Sequence, residues 1–237
     1  MSGPNEDHAG HEDADAVLGM AAHEIKNALA PLLMALQILE QKQAAAGAVS
    51  DEIVQAQRQA RRIARIATDL LDVTRFGTGQ IALRREPVDV VALVAEVVET
   101  FRLGAARTVA LSSDQGGPLV VAGDDGHLTE VVMNLLDNAA KYSPPASSID
   151  VHVKARGSVV SVTVTDRGFG IAPADQRRLF QRYFRAAATA EKARGLGLGL
   201  FLCRAIVEGH GGALGVESVP GAGSTFWLDL PLVPDPR

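Results

Sequence analysis

Seven apolar residues near the start of the chain, Leu18, Ala22, Ile25, Leu29, Leu32, Leu36 and Leu39, are spaced 4, 3, 4, 3, 4 and 3 apart. That spacing is the seam of a heptad repeat and predicts a long amphipathic α-helix. The segment QKQAAAGAVSD (41–51) interrupts it, with Gly47 as a stop and Ser50 or Asp51 as the next cap. A second seam follows at Ile53, Ala56, Ala60, Ile63, Ala67 and Leu70. Two such helices, each about 25 residues and roughly 37 Å long, form an αα-hairpin. They bury only one narrow face in each other. The economical way to cover the rest is a second copy of the hairpin, which gives a homodimeric four-helix bundle.

After Phe76-Gly77-Thr78-Gly79-Gln80 the pattern changes. Apolar residues now fall in short runs that read as strands: Val109–Leu111, Leu119–Val121, Ile149–Val153, Val159–Val164, Ala213–Val216 and Phe226–Leu230. Helical stretches lie between them at about 89–104, 125–142 and 197–209. Arg156-Gly157-Ser158 has the composition of a tight turn between two strands. The expectation is an α/β sandwich with helices on one face of a mixed sheet. The chain therefore reads as two domains: a tail over 1–15, an all-α hairpin over 16–76, a linker over 77–81, an α/β domain over 82–232 and a second tail over 233–237.

Composition narrows the function. The chain is 47% hydrophobic and carries 23 basic against 28 acidic residues, a net charge of −5. It can bury a core, and it lacks the overall basicity of a nucleic-acid binder. A single cysteine, Cys203, excludes a disulfide framework and a multi-cysteine zinc site. No window offers the ~18 apolar residues of a membrane helix, and the acidic start lacks the pattern of a secretory signal. A cytoplasmic protein is expected. His8 and His11 lie in the acidic tail with no further ligands nearby. His127, His152 and His210 read as structural, and Cys203 as a small buried hydrophobe.

His23 falls at heptad position b, turned away from the hairpin seam, beside Glu24 and one turn before Asn27. An outward histidine on a helix is by itself an ordinary surface residue. Its ordinary pKa near 6.5 leaves it largely neutral at pH 7, with one ring nitrogen able to attack phosphorus. A neighbouring carboxylate can fix the tautomer and accept the proton.

Three further segments suggest where the phosphorus comes from. In the helix over 125–142, Glu130, Asn134, Asn138 and Lys141 share one face, opposite Val132, Leu135, Leu136 and Ala139. Asparagine is a poor helix-interior residue, so two on one face need a reason. Their amide oxygens suit a hard cation such as Mg²⁺ that takes its remaining ligands from water and phosphate. Lys141 supplies positive charge for phosphates, and Tyr142 can lie against a purine. In the second segment, Asp166 ends a strand and is followed by Gly168 and Gly170. Its carboxylate can accept from an adenine amino group, and the glycines let the backbone turn close to the base. In the third, Arg194-Gly195-Leu196-Gly197-Leu198-Gly199-Leu200 opens a helix and exposes N–H groups to anions. This spacing matches neither the Walker loop nor the dinucleotide fingerprint. The intervening stretch 172–194, with Phe180, Tyr183, Phe184 and Arg185, is expected to be a mobile lid.

In this order the segments resemble the sensor histidine kinases of two-component systems. His23-Glu24-Ile25-Lys26-Asn27 is similar to the H box, and Asn134 to Ser143 to the N box. Asp166 to Gly170 resembles the first glycine box, Phe180 to Phe184 the F box, Gly195 to Leu200 the second glycine box, and Gly223-Ser224-Thr225-Phe226 the closing strand signature. The resemblance covers roughly residues 16–232. It implies a dimerisation and phosphotransfer domain followed by a Bergerat-type ATPase fold. It implies ATP and Mg²⁺ held by Asn134, Asn138, Lys141, Tyr142, Asp166, Gly168, Gly170, Gly195, Gly197, Leu198, Gly199 and Thr225, with Asn134 and Asn138 on the metal. It further implies phosphoryl transfer to His23 with Glu24 as base, and then to an aspartate of a response regulator receiver domain. Asn27, four after the histidine, implies the reverse regulator phosphatase activity.

The match has departures. Ala28 stands where the family usually has proline, and Pro31 comes three later. Leu196 replaces a small or hydroxyl residue, and Arg194 a glycine. Only about 15 residues precede the first helix, so either the chain is a fragment or its input arrives through a separate sensor protein. Three other readings share the features. A Bergerat ATPase of the gyrase or MutL type would use Glu130 to activate water. A pseudokinase scaffold would bind regulators without using ATP. A serine-directed kinase of the anti-sigma or mitochondrial branch would not need His23.

Overall fold

The computed structural model describes residues 22, 25, 27, 29–41, 43, 53, 55, 56, 59, 60, 63, 64, 67, 68, 71, 83–105, 107–114, 116–186 and 196–233. The chain divides into two compact units, Met1–Ile81 and Ala82–Arg237.

In the first unit the described residues are helical. Ala22, Ala67 and Leu71 form one buried cluster, so the start of the first seam packs beside the end of the second, as in an antiparallel hairpin. The seam itself splits into two rows. Ala22 and Leu29, at heptad position a, are buried at 0% and 7% exposure, whereas Ile25, Leu32 and Leu39, at position d, remain 41%, 49% and 47% exposed. The hairpin thus uses one row of the seam and leaves the other open in a single chain.

The second unit is built from seven strands and four helices among the described residues. The strands are β1 (Glu86–Asp89), β2 (Val109–Ser113), β3 (Val120–Gly123), β4 (Ile149–Arg156), β5 (Val159–Asp166), β6 (Ala213–Val219) and β7 (Gly223–Pro231). The helices are α1 (Val90–Gly104), α2 (Asp125–Tyr142), α3 (Pro173–Gln176) and α4 (Gly199–Gly209). The main sheet has the order β2-β4-β5-β7-β6, with β2 parallel to β4 and the other pairs antiparallel. It is the expected mixed sheet. Alternation on β5 and β7 puts Val160, Val162 and Val164 with Phe226, Leu228 and Leu230 in the core. Against them pack Val131, Leu135 and Leu136 of α2 and Leu202, Ile206 and Val207 of α4, all at most 4% exposed. Each such side chain contributes about 1.5–3 kcal/mol through burial. The β4–β5 turn forms as the sequence predicts, with Gly157 in the left-handed region at φ +62°.

One expected strand forms in a separate sheet, and one strand is additional. Leu119–Val121 reads as an ordinary strand, but the strand there is β3, which lies outside the main sheet in a two-stranded ribbon with β1. β1 itself, Glu-Pro-Val-Asp, carries little strand signal. Its proline is tolerated because the ribbon is short and its strands are edges. Asp89 then caps α1, its carboxylate accepting from the Val91 amide at 3.0 Å.

Candidate functional site

Helix α2 positions the asparagine face. Asp124 starts it, with its carboxylate accepting from the His127 amide at 3.2 Å. Burial pushes the Asp124 carboxyl up, but hydrogen bonds from His127 and Arg84 outweigh this and hold it below the usual carboxylate range. The apolar side of α2 is fixed in the core, so Asn134 and Asn138 are held one turn apart, half-buried. Asn138 Nδ2 donates to Asn134 Oδ1 at 2.9 Å. The Lys141 ammonium lies 5.1 Å from the centre of the Tyr142 ring.

One glycine turn, Gly197 to Gly199, closes on this face. Gly199, the first residue of α4, approaches so closely that a Cβ there would stand 2.6 Å from Asn134 Nδ2. Gly197, at φ +73°, has room for no side chain either: a Cβ would meet the Phe184 carbonyl at 2.7 Å. The structure therefore brings the N-box helix, the second glycine turn and the Tyr183–Phe184 segment together. Tyr183 takes a left-handed φ of 61°, and Arg178 stacks 4.5 Å over the Phe184 ring.

Asp166 ends β5 and is 4% exposed. Its Oδ1 accepts from the Gly168 amide at 2.7 Å. Burial raises its carboxyl above the usual range, against the lowering effect of hydrogen bonds from Gly168 and Ser224. A Cβ on Gly168 would overlap the Tyr142 carbonyl, and one on Gly170, at φ +66°, would overlap that of Val219. Both turns accept glycine alone. Burial likewise raises the Tyr142 hydroxyl, partly offset by Arg185.

Not every expected residue joins this set. Thr225 lies on the sheet face opposite Asp166, where its hydroxyl meets Thr165 at 3.0 Å. Ser224, its neighbour, is the residue that hydrogen-bonds Asp166. Leu198 is 1% exposed, so its side chain belongs to the core, and only its backbone lies in the turn. His23, Glu24 and Gly195 lie outside the described residues, as do 187–194 of the expected lid. The described part of that stretch is anchored: Gln176 Nε2 donates to the carbonyls of Ile171 and Ser218 at 2.8 Å each. Asn27 is exposed on its helix. Among the described residues no cluster of three His, Cys, Asp or Glu could hold a metal, and no helix is long and apolar enough to cross a membrane.

Both units are similar to known protein families. Residues 123–234 match the family described as histidine kinase-, DNA gyrase B- and HSP90-like ATPase. Residues 14–79 match the His kinase A (phospho-acceptor) domain. The solved structure of the mycobacterial sensor histidine kinase MprB is 31% identical and superposes with a TM-score of 0.56 over 64% of this chain and 99% of its own. The chain belongs to the histidine kinase family. Among the relatives of this family member, the sensor-like histidine kinase SenX3 of Mycolicibacterium smegmatis is 34% identical over 181 residues, 76% of this chain and 47% of SenX3. The adaptive-response sensory kinase SasA of Rippkaea orientalis is 34% identical over 225 residues, 91% of this chain and 57% of SasA. The chain thus spans about half the length of the curated relatives it matches. In this family member the helical unit holds the residues that match the phospho-acceptor domain, and the α/β unit holds those that match the ATPase family.

Proposed function

We propose that the chain is an ATP-dependent protein histidine kinase that phosphorylates itself on His23 and hands the phosphoryl group to an aspartate of a response regulator. The observation that carries this reading is the closure of Gly199 on the Asn134–Asn138 pair, in a chain whose other unit is a phospho-acceptor hairpin.

In this reading ATP lies with its adenine toward Asp166 and its phosphates toward the start of α4. Asp166 accepts from the adenine amino group, and Gly168 keeps the backbone clear of the ring. The free N–H groups at the start of α4 face the phosphates, and Lys141 adds a positive charge. The donor set fits Mg²⁺: two neutral amide oxygens, with no cluster of three His, Cys, Asp or Glu among the described residues, suit a cation whose charge is balanced by the nucleotide's own oxygens. Asn134 and Asn138 would hold it, and bound there it would neutralise charge on the phosphates.

His23 attacks the γ-phosphorus through the lone pair of a neutral ring nitrogen. A P–N bond forms, the bridging P–O bond breaks, and ADP leaves with that electron pair. Glu24 accepts the proton from the other ring nitrogen. Positioning and charge neutralisation supply most of the acceleration, as in other phosphoryl transfers. The exposed d-position row of the first helix supports a homodimer through the hairpin. A receiver domain is the partner that takes the phosphoryl group, and Asn27, one turn beyond His23, orients water for the reverse hydrolysis of the regulator's acyl phosphate. The input comes from a sensor, either on further chain or on a separate protein, and the site of action is the cytoplasm.

Incubation of the full chain with γ-labelled ATP and Mg²⁺ tests the reading. Wild type incorporates label, and His23→Gln and Asn138→Ala do not. Label retained by His23→Gln would redirect the reading to another acceptor. Steady release of free phosphate at the wild-type rate by that variant would favour the ATPase alternative built on Glu130.

A further inference from the structure

Arg107 stands between the end of α1 and the start of β2, and its surroundings assign it a task. Its guanidinium donates to four main-chain carbonyls. Nη2 serves Ala140 and, at 2.8 Å, Ser143. Nη1 serves Pro144 and, at 3.4 Å, Ser147. All four oxygens belong to the last turn of α2 and the loop that follows it. A helix end presents carbonyls without intrahelical partners and the negative pole of the macrodipole. A planar fork of N–H donors satisfies several of them at once, which an ammonium on a flexible stem cannot do as well.

The held turn has a second side. Within it, the Tyr142 carbonyl accepts from the Phe169 amide at 3.4 Å. Gly168 lies so close to that oxygen that a Cβ would overlap it. The Gly168 amide in turn donates to Asp166 Oδ1 at 2.7 Å. A continuous line of contacts therefore runs from Arg107 through the α2 terminus and Tyr142 to Gly168 and the Asp166 carboxylate.

We propose that Arg107 is a positioning residue for purine selection: it sets where the Tyr142 carbonyl stands, and so where Gly168 holds the carboxylate that reads the base. This rests on the reading of Asp166 as acceptor for an adenine amino group. A displaced carboxylate loses a directional hydrogen bond. Most of the phosphate end lies farther off: Asn134 is eight residues before Tyr142, or roughly 12 Å along the helix, and Lys141, in the held turn itself, reaches toward phosphate on a flexible four-carbon stem that absorbs a small shift of the backbone. Loosening the turn therefore lowers discrimination between adenine and guanine more than it lowers affinity for the diphosphate as such.

The test compares wild type, Arg107→Ala and Arg107→Lys as full chains, with thermal melting to establish folding and calorimetric titration with ADP and with GDP. Wild type prefers ADP. Arg107→Ala binds ADP about tenfold more weakly with GDP unchanged, and Arg107→Lys about threefold more weakly, so the ADP-over-GDP preference falls in that order. An arginine that served stability alone would lower the melting temperature and leave the preference intact, which would overturn the proposal. Equal loss for both nucleotides would overturn it too, and so would failure of both variants to fold. A wild type with no preference for ADP would instead strike at the reading of Asp166, a result separable from the others because it needs no variant.

Discussion

Asn134 and Gly199 occupy adjoining space that admits no further heavy atom: a Cβ on the glycine would stand 2.6 Å from the amide nitrogen and 3.1 Å from the amide oxygen. The group that must yield is a half-buried side chain rather than backbone. Gly199→Ala therefore folds but displaces Asn134 from its hydrogen bond with Asn138. Nucleotide affinity is expected to fall about tenfold, or about 1.4 kcal/mol, with a melting temperature within a few degrees of wild type. Calorimetric titration with ADP checks it; unchanged affinity would remove Asn134 from the nucleotide site.

His210 gives the α/β unit a pH dependence. It is 2% exposed. Its Nδ1–H donates to the Ile206 carbonyl at 2.7 Å, and its Nε2 accepts from the Asp124 amide at 2.9 Å. Protonation would set a donor against a donor. Burial lowers its pKa below 6.5, helped by Arg85 and His127 and opposed by the Ile206 carbonyl and Asp124. The unfolded chain thus binds a proton near pH 6.5 that the folded chain refuses until lower pH, so stability falls as pH drops through that window. Asp166, raised in the folded state, acts with the opposite sign above pH 3.8 and is common to wild type and variant. Urea unfolding at pH 7.5 and 5.5 should show a larger loss for wild type than for His210→Gln, whose amide oxygen can still accept from Asp124. Equal losses would mean that His210 is protonated without penalty.

The open row of the first helix predicts association. Leu32 is 49% and Ile25 41% exposed in a single chain. Burying the exposed half of each against a partner is worth roughly 1 kcal/mol, about half the full-burial figure, and a glutamate in that interface would be buried unpaired. Wild type should sediment as a dimer and Ile25→Glu/Leu32→Glu as a helical monomer. A double variant that remains dimeric would place the interface on another face.

The proposed role of Asn27 lies in regulator dephosphorylation and leaves autophosphorylation to other groups. Asn27→Ala should keep autophosphorylation within about threefold of wild type and slow dephosphorylation of the phosphorylated regulator by about tenfold or more. The decay of labelled regulator measures this. An unchanged decay rate would assign regulator hydrolysis elsewhere.

The sequence made legible what is local and periodic. The helical character of the first unit, α2 and the β4–β5 turn follow from spacing and glycine alone. The splitting of the first seam into buried Leu29 and exposed Leu32 was not visible, because both are leucines at seam positions. β1 escaped because Glu86 to Asp89 has little strand propensity and forms only by pairing with β3, more than 30 residues away. Thr225 was one residue out of place. A step of one along a strand changes the face, and the apolar row Phe226, Leu228 and Leu230 continues backwards to Ser224, which was the signal to use. Leu198 read as part of a phosphate loop because glycines flank it, yet leucine in a loop more often fills core. Arg107 had no sequence signal: its partners are carbonyls, which every residue has.

The central claim is that phosphorus moves from ATP onto the His23 imidazole, and the chemistry of the product tests it most directly. Chain labelled with γ-³²P-ATP, digested and mapped, should carry a phosphoramidate on the peptide containing His23, lost in acid, stable in alkali and discharged on adding the receiver domain. A label that survives acid, or that maps to a serine or threonine, would contradict the account.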